Sequence, residues 1–291
     1  MARKTTPRTV GVIGLGAMGG AMSANLVKAG FEVRGFDIAA GQRAALRRAG
    51  GKPVSSIAGL KAPVILTSLP SAAALQAVAG ALKGKCIVVE TSTLPIEDKE
   101  KARDTLKRKG ITLLDCPLSG TGAQAKVKDL VVFASGERKA FDLAKSVFPG
   151  FSRSHYYLGA FGNGSRMKFV ANLRVAIHNV SAAEAFVLGM KAGLPAKTIF
   201  EVIENSAGSS RMFQVRGPQM VRGRYDGAGI ALELFQKDMK IIGEFAARIG
   251  APTSLFNASA AIYNAAIAQG HGKHDTASVC AVLESLAKLR R

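Results

Sequence analysis

VGVIGLGAMGGAMSANLVKAGFEVRGFD, residues 10–37, carries more information than any other stretch of this chain. An apolar run, Val10 to Ile13, breaks into Gly14-Leu15-Gly16-Ala17-Met18-Gly19. A helical segment follows, and a second short apolar strand ends at Asp37. This is G-x-G-x-x-G between a strand and a helix, with an acidic residue about 20 positions on, as a dinucleotide-binding turn requires. Gly14 permits the tight turn, and Gly16 lets the backbone approach a pyrophosphate. Gly19 lets the helix sit close to the sheet, with its N-terminal N–H groups aimed at the phosphates. The turn, Gly14 through Gly19, and Asp37 are therefore the expected cofactor-binding residues.

The same stretch mimics a secretion signal, because Arg3, Lys4 and Arg8 precede an apolar run and Ala21 to Ala24 resembles a cleavage site. The run is too glycine-rich for that and continues directly into a second strand. No other segment is a membrane-span candidate, so the expectation is a soluble, cytoplasmic protein. At 291 residues the chain is long enough for two domains. Its three cysteines, Cys86, Cys116 and Cys280, lie far apart without metal-ligand spacing, which predicts reduced thiols and no metal site. The net charge of +20 raises the possibility of nucleic acid. The excess is spread over both halves, however, and the dense cluster Lys99 to Lys109 still contains Glu100 and Asp104. The reading is a solvated basic surface, whose field also attracts an anionic cofactor and substrate.

Up to about residue 158, short apolar runs alternate with amphipathic, alanine-rich stretches. Strands are expected at 9–14, 32–37, 63–68, 86–90, 111–115 and 130–135, with a weaker one near 155–158. The alternation predicts an α/β, Rossmann-type, doubly wound parallel sheet with helices on both faces. Segment 93–110 reads as a connecting helix capped by Thr93, with Pro95 in its first turn and Gly110 as its stop. From Ser165 to about Ala192 runs one long helical pattern, apolar on most faces and therefore expected to be buried on several sides. Everything beyond it reads as helix. The expected boundary separates a nucleotide-binding domain, 1–162, from an all-helical substrate and dimerisation domain, 163–291, that begins with the long helix 165–192.

In doubly wound folds ligands sit at the carboxyl ends of the strands. Those ends are Gly14–Gly19, Asp37, Ser68-Leu69-Pro70, Thr91-Ser92-Thr93 and the small-residue loop Asp115-Cys116-Pro117-Leu118-Ser119-Gly120-Thr121-Gly122. The last is either an ordinary turn or a carboxylate site built from backbone N–H groups and hydroxyls. Beyond it, Lys168 and Asn172 share one face of the long helix. A lysine near the start of a mostly apolar helix either snorkels to solvent or has its pKa lowered toward an acid/base range. Four histidines, His155, His178, His271 and His274, show no metal spacing, and the last two look like loop residues.

Together these segments resemble the β-hydroxyacid dehydrogenase family, whose members include 3-hydroxyisobutyrate dehydrogenase, tartronate semialdehyde reductase and threonate dehydrogenases. Four motifs carry the resemblance in order along nearly the whole chain. They are Gly11–Asn25, Asp115–Gly122, Gly162-x-Gly164-x-x-x-Lys168-x-x-x-Asn172, and Lys237-Asp238-Met239. The resemblance implies hydride transfer between NAD or NADP and a small β-hydroxyacid, or its semialdehyde, without decarboxylation. Lys168 is then the general acid/base on the hydroxyl oxygen, and Asn172 holds the substrate beside it. Ser119, Gly120 and Thr121 bind the substrate carboxylate. Leu69, Pro70, Thr93 and Lys237 match positions near the cofactor. The catalytic cleft is expected between the domains, and the assembly as a homodimer or homotetramer.

Asp37 favours NAD, because its carboxylate accepts from the ribose hydroxyls and repels a 2′-phosphate; NADP remains possible. Arginine just after this strand marks NADP-preferring relatives, whereas here Ile38-Ala39-Ala40-Gly41 follows and Arg43 is further off. Thr121 stands where the family usually shows a second glycine, which either narrows the carboxylate loop or adds a hydroxyl to it. The polar segment Ser206–Phe213 looks closer to threonate-type or tartronate-type enzymes than to those for branched acids. Within it, Arg211 either meets a second anionic or polyhydroxy group or caps a surface helix. No histidine follows Lys168 as in the longer 6-phosphogluconate dehydrogenases, and imine reductases usually lack the lysine. The alternative outside catalysis is a dehydrogenase-like nucleotide or nucleic-acid binding module using the basic surface, and retention of Lys168 and Asn172 argues against it.

Overall fold

The computed structural model describes residues 8–227 and 229–289. The chain divides into two compact units, one ending at Lys168 and the other beginning at Phe169. In the first, β1 (Thr9–Ile13), β2 (Glu32–Phe36), β3 (Lys52–Pro53), β4 (Val64–Thr67), β5 (Ile87–Glu90) and β6 (Thr112–Asp115) form one sheet in the order β3-β2-β1-β4-β5-β6. Every pairing in it is parallel. The order reverses between β1 and β4, the point at which a Rossmann-type sheet opens to its ligand.

Both faces of this sheet are covered, which is why its strands read as apolar runs. Val10, Val12, Val64, Leu66, Val89 and Leu114 point into one core, together with Met22 and Leu26 of the helix Ala17–Lys28. Ile13, Ile65, Val88 and Leu113 point into the other, against Leu75, Ala102 and Leu106. The alternation along each strand supplies one side chain to each core in turn, each worth about 1.5–3 kcal/mol when a Val, Leu or Ile is fully buried.

Three expectations are corrected here. The runs at 130–135 and 155–158 do form strands, β8 (Val131–Ala134) and β9 (Ser154–Tyr157), but not in the parallel sheet. They join β7 (Leu118–Ser119) in a separate three-stranded sheet, β7-β8-β9, in which β7 runs antiparallel to β8. The helix expected over 93–110 begins later and is Ile96–Lys107, with Pro95 as its cap residue and Thr93 outside it. The chain beyond it turns at Gly110 in the left-handed region, φ +73°. The long helix runs Asn163–Lys191, starting two residues earlier than expected, and it is buried or half-buried on its other sides while Met167, Val170, Arg174, Ser181, Glu184 and Leu188 form one exposed stripe along it.

The second unit holds most of that helix and five others, Ala196–Ile203, Arg211–Arg222, Leu232–Arg248, Ser254–Ala268 and Val279–Leu286. Among the described residues its only β contact is an isolated bridge between Ala231 and Asp275. Its interior is partly polar. Arg216 pairs with Asp275 at 2.8 Å, and Asn179 donates to the Tyr263 hydroxyl at 2.9 Å, all four side chains being buried.

Candidate active site

The glycine turn is built around Gly14, whose φ of +85° makes the bend after β1. A Cβ on Gly19 would run into the Gly14 carbonyl, so the helix Ala17–Lys28 starts directly against the strand end. A Cβ on Gly16 would meet nothing within 4 Å, and no side chain caps this helix. Open space over an uncapped helix N-terminus suits a diphosphate, whose oxygens can take the free N–H groups. Asp37 closes the other edge. Its Oδ2 accepts from the Leu15 N–H at 2.7 Å and its Oδ1 from the Ala39 N–H at 2.8 Å. Arg43, distant in the sequence motif, folds back onto this corner: its Nη1 donates to the carbonyls of Asp37 at 2.6 Å and Ile38 at 3.0 Å. Ile38 beside them is 90% exposed, an apolar platform at the mouth of the turn.

Leu69, with Pro70 after it, follows β4, and the Leu69 N–H donates to Ser92 Oγ at 2.8 Å. This ties the loop after β4 to the loop after β5, where Thr93 lies half-buried. Below these loops is a polar network that the sequence reading missed. Lys99, assigned there to a solvated basic cluster, is fully buried. Its Nζ lies 2.9 Å from Asp115 Oδ1 and 4.0 Å from Glu90 Oε1, and it donates to the Ser92 carbonyl at 2.6 Å. Glu90 in turn accepts from Thr67 Oγ1 at 2.6 Å and from the Ser92 N–H at 2.7 Å. Burial by itself pushes the Lys99 ammonium down, but Asp115 and then Glu90 outweigh it and hold its pKa above the ordinary lysine value. A signal was available: Ile96, Lys99, Ala102 and Leu106 fall on one helical stripe, so Lys99 sits where an apolar residue belongs.

The small-residue loop after β6 is more ordered than a turn. Leu118–Ser119 is strand β7, and Ser119 pairs with Val131. Gly120 follows at φ +134°. Thr121 then caps a short helix, Gly122–Lys126, in a capping box: its hydroxyl accepts from the Gln124 N–H at 3.4 Å, and its own N–H donates to Gln124 Oε1 at 3.0 Å. The departure from the family glycine is thus a helix cap rather than a free hydroxyl added to the carboxylate loop, and the T-x-x-Q spacing already encoded it. Asn25, buried in the helix after the glycine turn, donates to the Ala125 carbonyl at 2.7 Å. A Cβ at Gly122 would stand 3.8 Å from that of Ala17.

The start of the long helix lies against the ends of β6 and β8. A Cβ on Gly164 would stand 2.6 Å from the Asp115 carbonyl oxygen and would also strike that of Phe133, so this position admits only glycine. The Gly164 N–H donates to Ser135 Oγ at 2.9 Å. The Ser165 N–H donates to Asp115 Oδ2 and its hydroxyl to Asp115 Oδ1, both at 2.8 Å. One turn on, Lys168 is 8% exposed. Four residues further, Asn172 is buried and its Nδ2 donates to Asp238 Oδ2 at 2.8 Å. Asp238 Oδ1 lies 3.4 Å from Lys237 Nζ, so Lys237, Asp238 and Asn172 form one chain of contacts in the second unit. Arg211 is exposed at the first position of its helix, and the cap there is Ser210, whose Oγ accepts from the Phe213 N–H at 3.1 Å. The capping alternative for Arg211 therefore falls away.

Cys86, Cys116 and Cys280 are free thiols. His271 and His274 face each other with their Nδ1 atoms 2.9 Å apart. Among the described residues no group of three or more His, Cys, Asp or Glu side chains is arranged to hold a metal ion, and no helix is long and apolar enough to cross a membrane.

Comparisons with known proteins match nearly the whole chain. Residues 9–159 match the family described as the NAD binding domain of 6-phosphogluconate dehydrogenase. Residues 162–283 match the NAD-binding domain of NADP-dependent 3-hydroxyisobutyrate dehydrogenase. The chain belongs to the β-hydroxyacid dehydrogenase family. It is 32% identical to the L-threonate dehydrogenase of Cupriavidus necator, covering 96% of this chain and 97% of that one. The 3-hydroxyisobutyrate dehydrogenase of Salmonella typhimurium superposes with a TM-score of 0.85 at 27% identity, covering 94% of this chain and 99% of that one. The Mycobacterium tuberculosis 3-hydroxyisobutyrate dehydrogenase, solved with L-serine, gives 0.84 at 28% identity, covering 95% and 99%. As a β-hydroxyacid dehydrogenase the chain is an NAD(P)-dependent oxidoreductase of small hydroxyacids, and the alternative of a non-catalytic binding module is not supported.

Proposed function

We propose that this β-hydroxyacid dehydrogenase oxidises a small polyhydroxylated acid, with L-threonate the first to test, and that it prefers NAD. The observation that carries the chemistry is the nearly buried Lys168, one turn beyond a helix start that is fastened at both Gly164 and Ser165. The Lys168 amine takes the proton of the reacting hydroxyl in the oxidation direction and returns it in reduction. Asn172, steadied by Asp238, orients the substrate. The Ser119 hydroxyl and the Gly120 N–H receive the substrate carboxylate, and Thr121 holds the shape of that loop through its capping box. The polar segment Ser206–Phe213, with exposed Arg211, meets the further hydroxyls of the acid; this assignment agrees with the similarity to an L-threonate dehydrogenase.

When bound, NAD(P) supplies the hydride acceptor. Gly14 and Leu15 form the turn, Gly16, Ala17, Met18 and Gly19 present the N–H groups and open space for its diphosphate, and Asp37 accepts from the ribose hydroxyls. Leu69, Pro70 and Thr93 line the adjoining strand ends, and Lys237 is a further cation for the cofactor. Arg43 beside Asp37 makes the preference for NAD over NADP a moderate one. The exposed Leu188, Val202, Leu234, Leu255 and Leu286 of the helical unit support a homodimer or homotetramer, and the three free thiols a cytoplasmic setting.

The deciding assay follows NADH formation, with NAD and then NADP, over L-threonate, glycerate, 3-hydroxyisobutyrate, L-serine and 4-hydroxybutyrate. Turnover led by L-threonate with NAD is expected. Turnover confined to 3-hydroxyisobutyrate would move the specificity to the branched acids, and turnover with NADP alone would remove the role given to Asp37.

A further inference from the structure

We propose that Asp115 is a positioning residue for Lys168, fixing the catalytic amine through the first turn of the long helix. The inference rests on the acid/base reading of Lys168 given above and assigns the buried carboxylate a function beyond ending β6.

Asp115 is fully buried, and each of its side-chain oxygens is bound twice. Oδ1 accepts from Lys99 Nζ at 2.9 Å and from Ser165 Oγ at 2.8 Å. Oδ2 accepts from the Ser165 N–H at 2.8 Å and from Ser135 Oγ at 3.3 Å. Its own backbone pairs with Ser135 in both directions, at 2.9 and 2.8 Å. Ser135 passes the contact on, accepting from the Gly164 N–H at 2.9 Å. Two consecutive N–H groups of the helix start are therefore held by this carboxylate and its partner, and the negative charge lies at the positive end of the helix, where it is favoured.

Lys168 follows Ser165 by three residues and so lies on the neighbouring face one turn along. A carboxylate that fixes the axial and rotational setting of Ser165 fixes that of Lys168. Fully buried Lys99 holds the carboxylate from the other side, and Glu90 and the Ser92 carbonyl hold Lys99. The loop that carries Ser119 leaves directly from Asp115. One residue therefore sets the spacing between the group that takes the proton and the loop proposed for the substrate carboxylate. Displacement of about 1 Å between such groups is enough to cost on the order of 10²-fold in rate.

The test is a double-mutant cycle on L-threonate oxidation with NAD, using Asp115→Asn, Lys168→Ala and the pair, with hydrogen–deuterium exchange over residues 159–170. Asp115→Asn should lower kcat at least about 10-fold with little change in KM. It should also raise exchange over the helix start. In the Lys168→Ala background the same change should alter kcat by less than about twofold, because a positioning residue has nothing left to position. An equal loss in both backgrounds would make Asp115 a structural residue only and overturn the proposal. Full turnover by Lys168→Ala would instead remove the acid/base reading, and the proposal with it. If Asp115→Asn does not fold, Ser165→Ala, which removes one of the four contacts, carries the same cycle: loss only in the presence of Lys168 supports the proposal, and loss in both backgrounds or in neither overturns it.

Discussion

Asp115 and Ser165, fifty residues apart in the chain, are joined by two hydrogen bonds of equal length, one to each carboxylate oxygen. The second Oδ1 contact goes to Lys99, so a strand end, a connecting helix and the start of the long helix meet at one buried carboxylate. A buried ion pair of this kind is expensive to break from one side. Its worth lies in fixing geometry at the place where Lys168, the proposed acid/base group, is presented.

Lys168→Ala should lower kcat on the order of 10²-fold or more while leaving NAD affinity unchanged. Steady-state rates and a cofactor titration by isothermal calorimetry measure both. Undiminished turnover would end the assignment of Lys168 as the acid/base group.

At the mouth of the glycine turn, Asp37→Ala should weaken NAD binding and narrow the gap between NAD and NADP, since it removes the acceptor for the ribose hydroxyls. Arg43→Ala should widen that gap, because the guanidinium is held at the Asp37 carbonyl, beside that acceptor. The readout is kcat/KM with each cofactor for both variants. Parallel losses with NAD and NADP in Arg43→Ala would mean that Arg43 shapes the loop and takes no part in selectivity.

Thr121→Ala removes a capping hydroxyl and should cost about 1 kcal/mol of stability, seen as a lower urea midpoint. KM for the acid should change little, since the Thr121 N–H and hydroxyl already serve Gln124. A large rise in KM with stability intact would return Thr121 to the carboxylate site.

Alkaline pH should destabilise the fold in a definite order. Burial pushes the Cys86 thiol from 9.0 up to about 11. Burial also raises Tyr263 above its ordinary 10.0, and the two carboxylates hold Lys99 above 10.5. Above pH 9 the unfolded chain gives up protons that the folded chain keeps, so stability declines as pH rises through the folded values. The contribution of Cys86 is full below 9.0 and is lost between there and about 11. Calorimetric Tm should therefore begin to fall near pH 9, from Cys86 and from the fully buried Cys116, whose thiol burial also raises, and in Cys86→Ala the fall should begin at the same pH but be shallower. An unchanged slope in that variant would show that the Cys86 thiol carries none of the effect.

The fold was largely legible because β1, β4, β5 and β6 are buried on both faces, and such strands announce themselves as apolar runs. What stayed hidden depended on partners. Strand β3 is two residues, Lys52–Pro53, and β7 is two more, too short for any periodicity. Residues 131–134 read as a strand correctly, but the run itself says nothing of its neighbours, and the neighbours are β7 and β9 rather than β6. The candidate site followed the same division. Lys168 and Asn172 stood out by residue type and spacing, whereas Asp115 looked like a loop boundary and Lys99 like one more surface cation. Their importance comes from pairing across the fold. Thr121 differs: its capping partner is three residues away, so the cap itself was legible.

The bond from Asn25 to the Ala125 carbonyl ties the helix that begins at the glycine turn to the helix that Thr121 caps. A dinucleotide that stiffens the first helix should lower the ordering cost of the loop that ends at the second, and by linkage the acid should do the same for the dinucleotide. Each ligand should therefore tighten the other, and Asn25→Ala should weaken that mutual gain, read as the dinucleotide Kd with and without the acid.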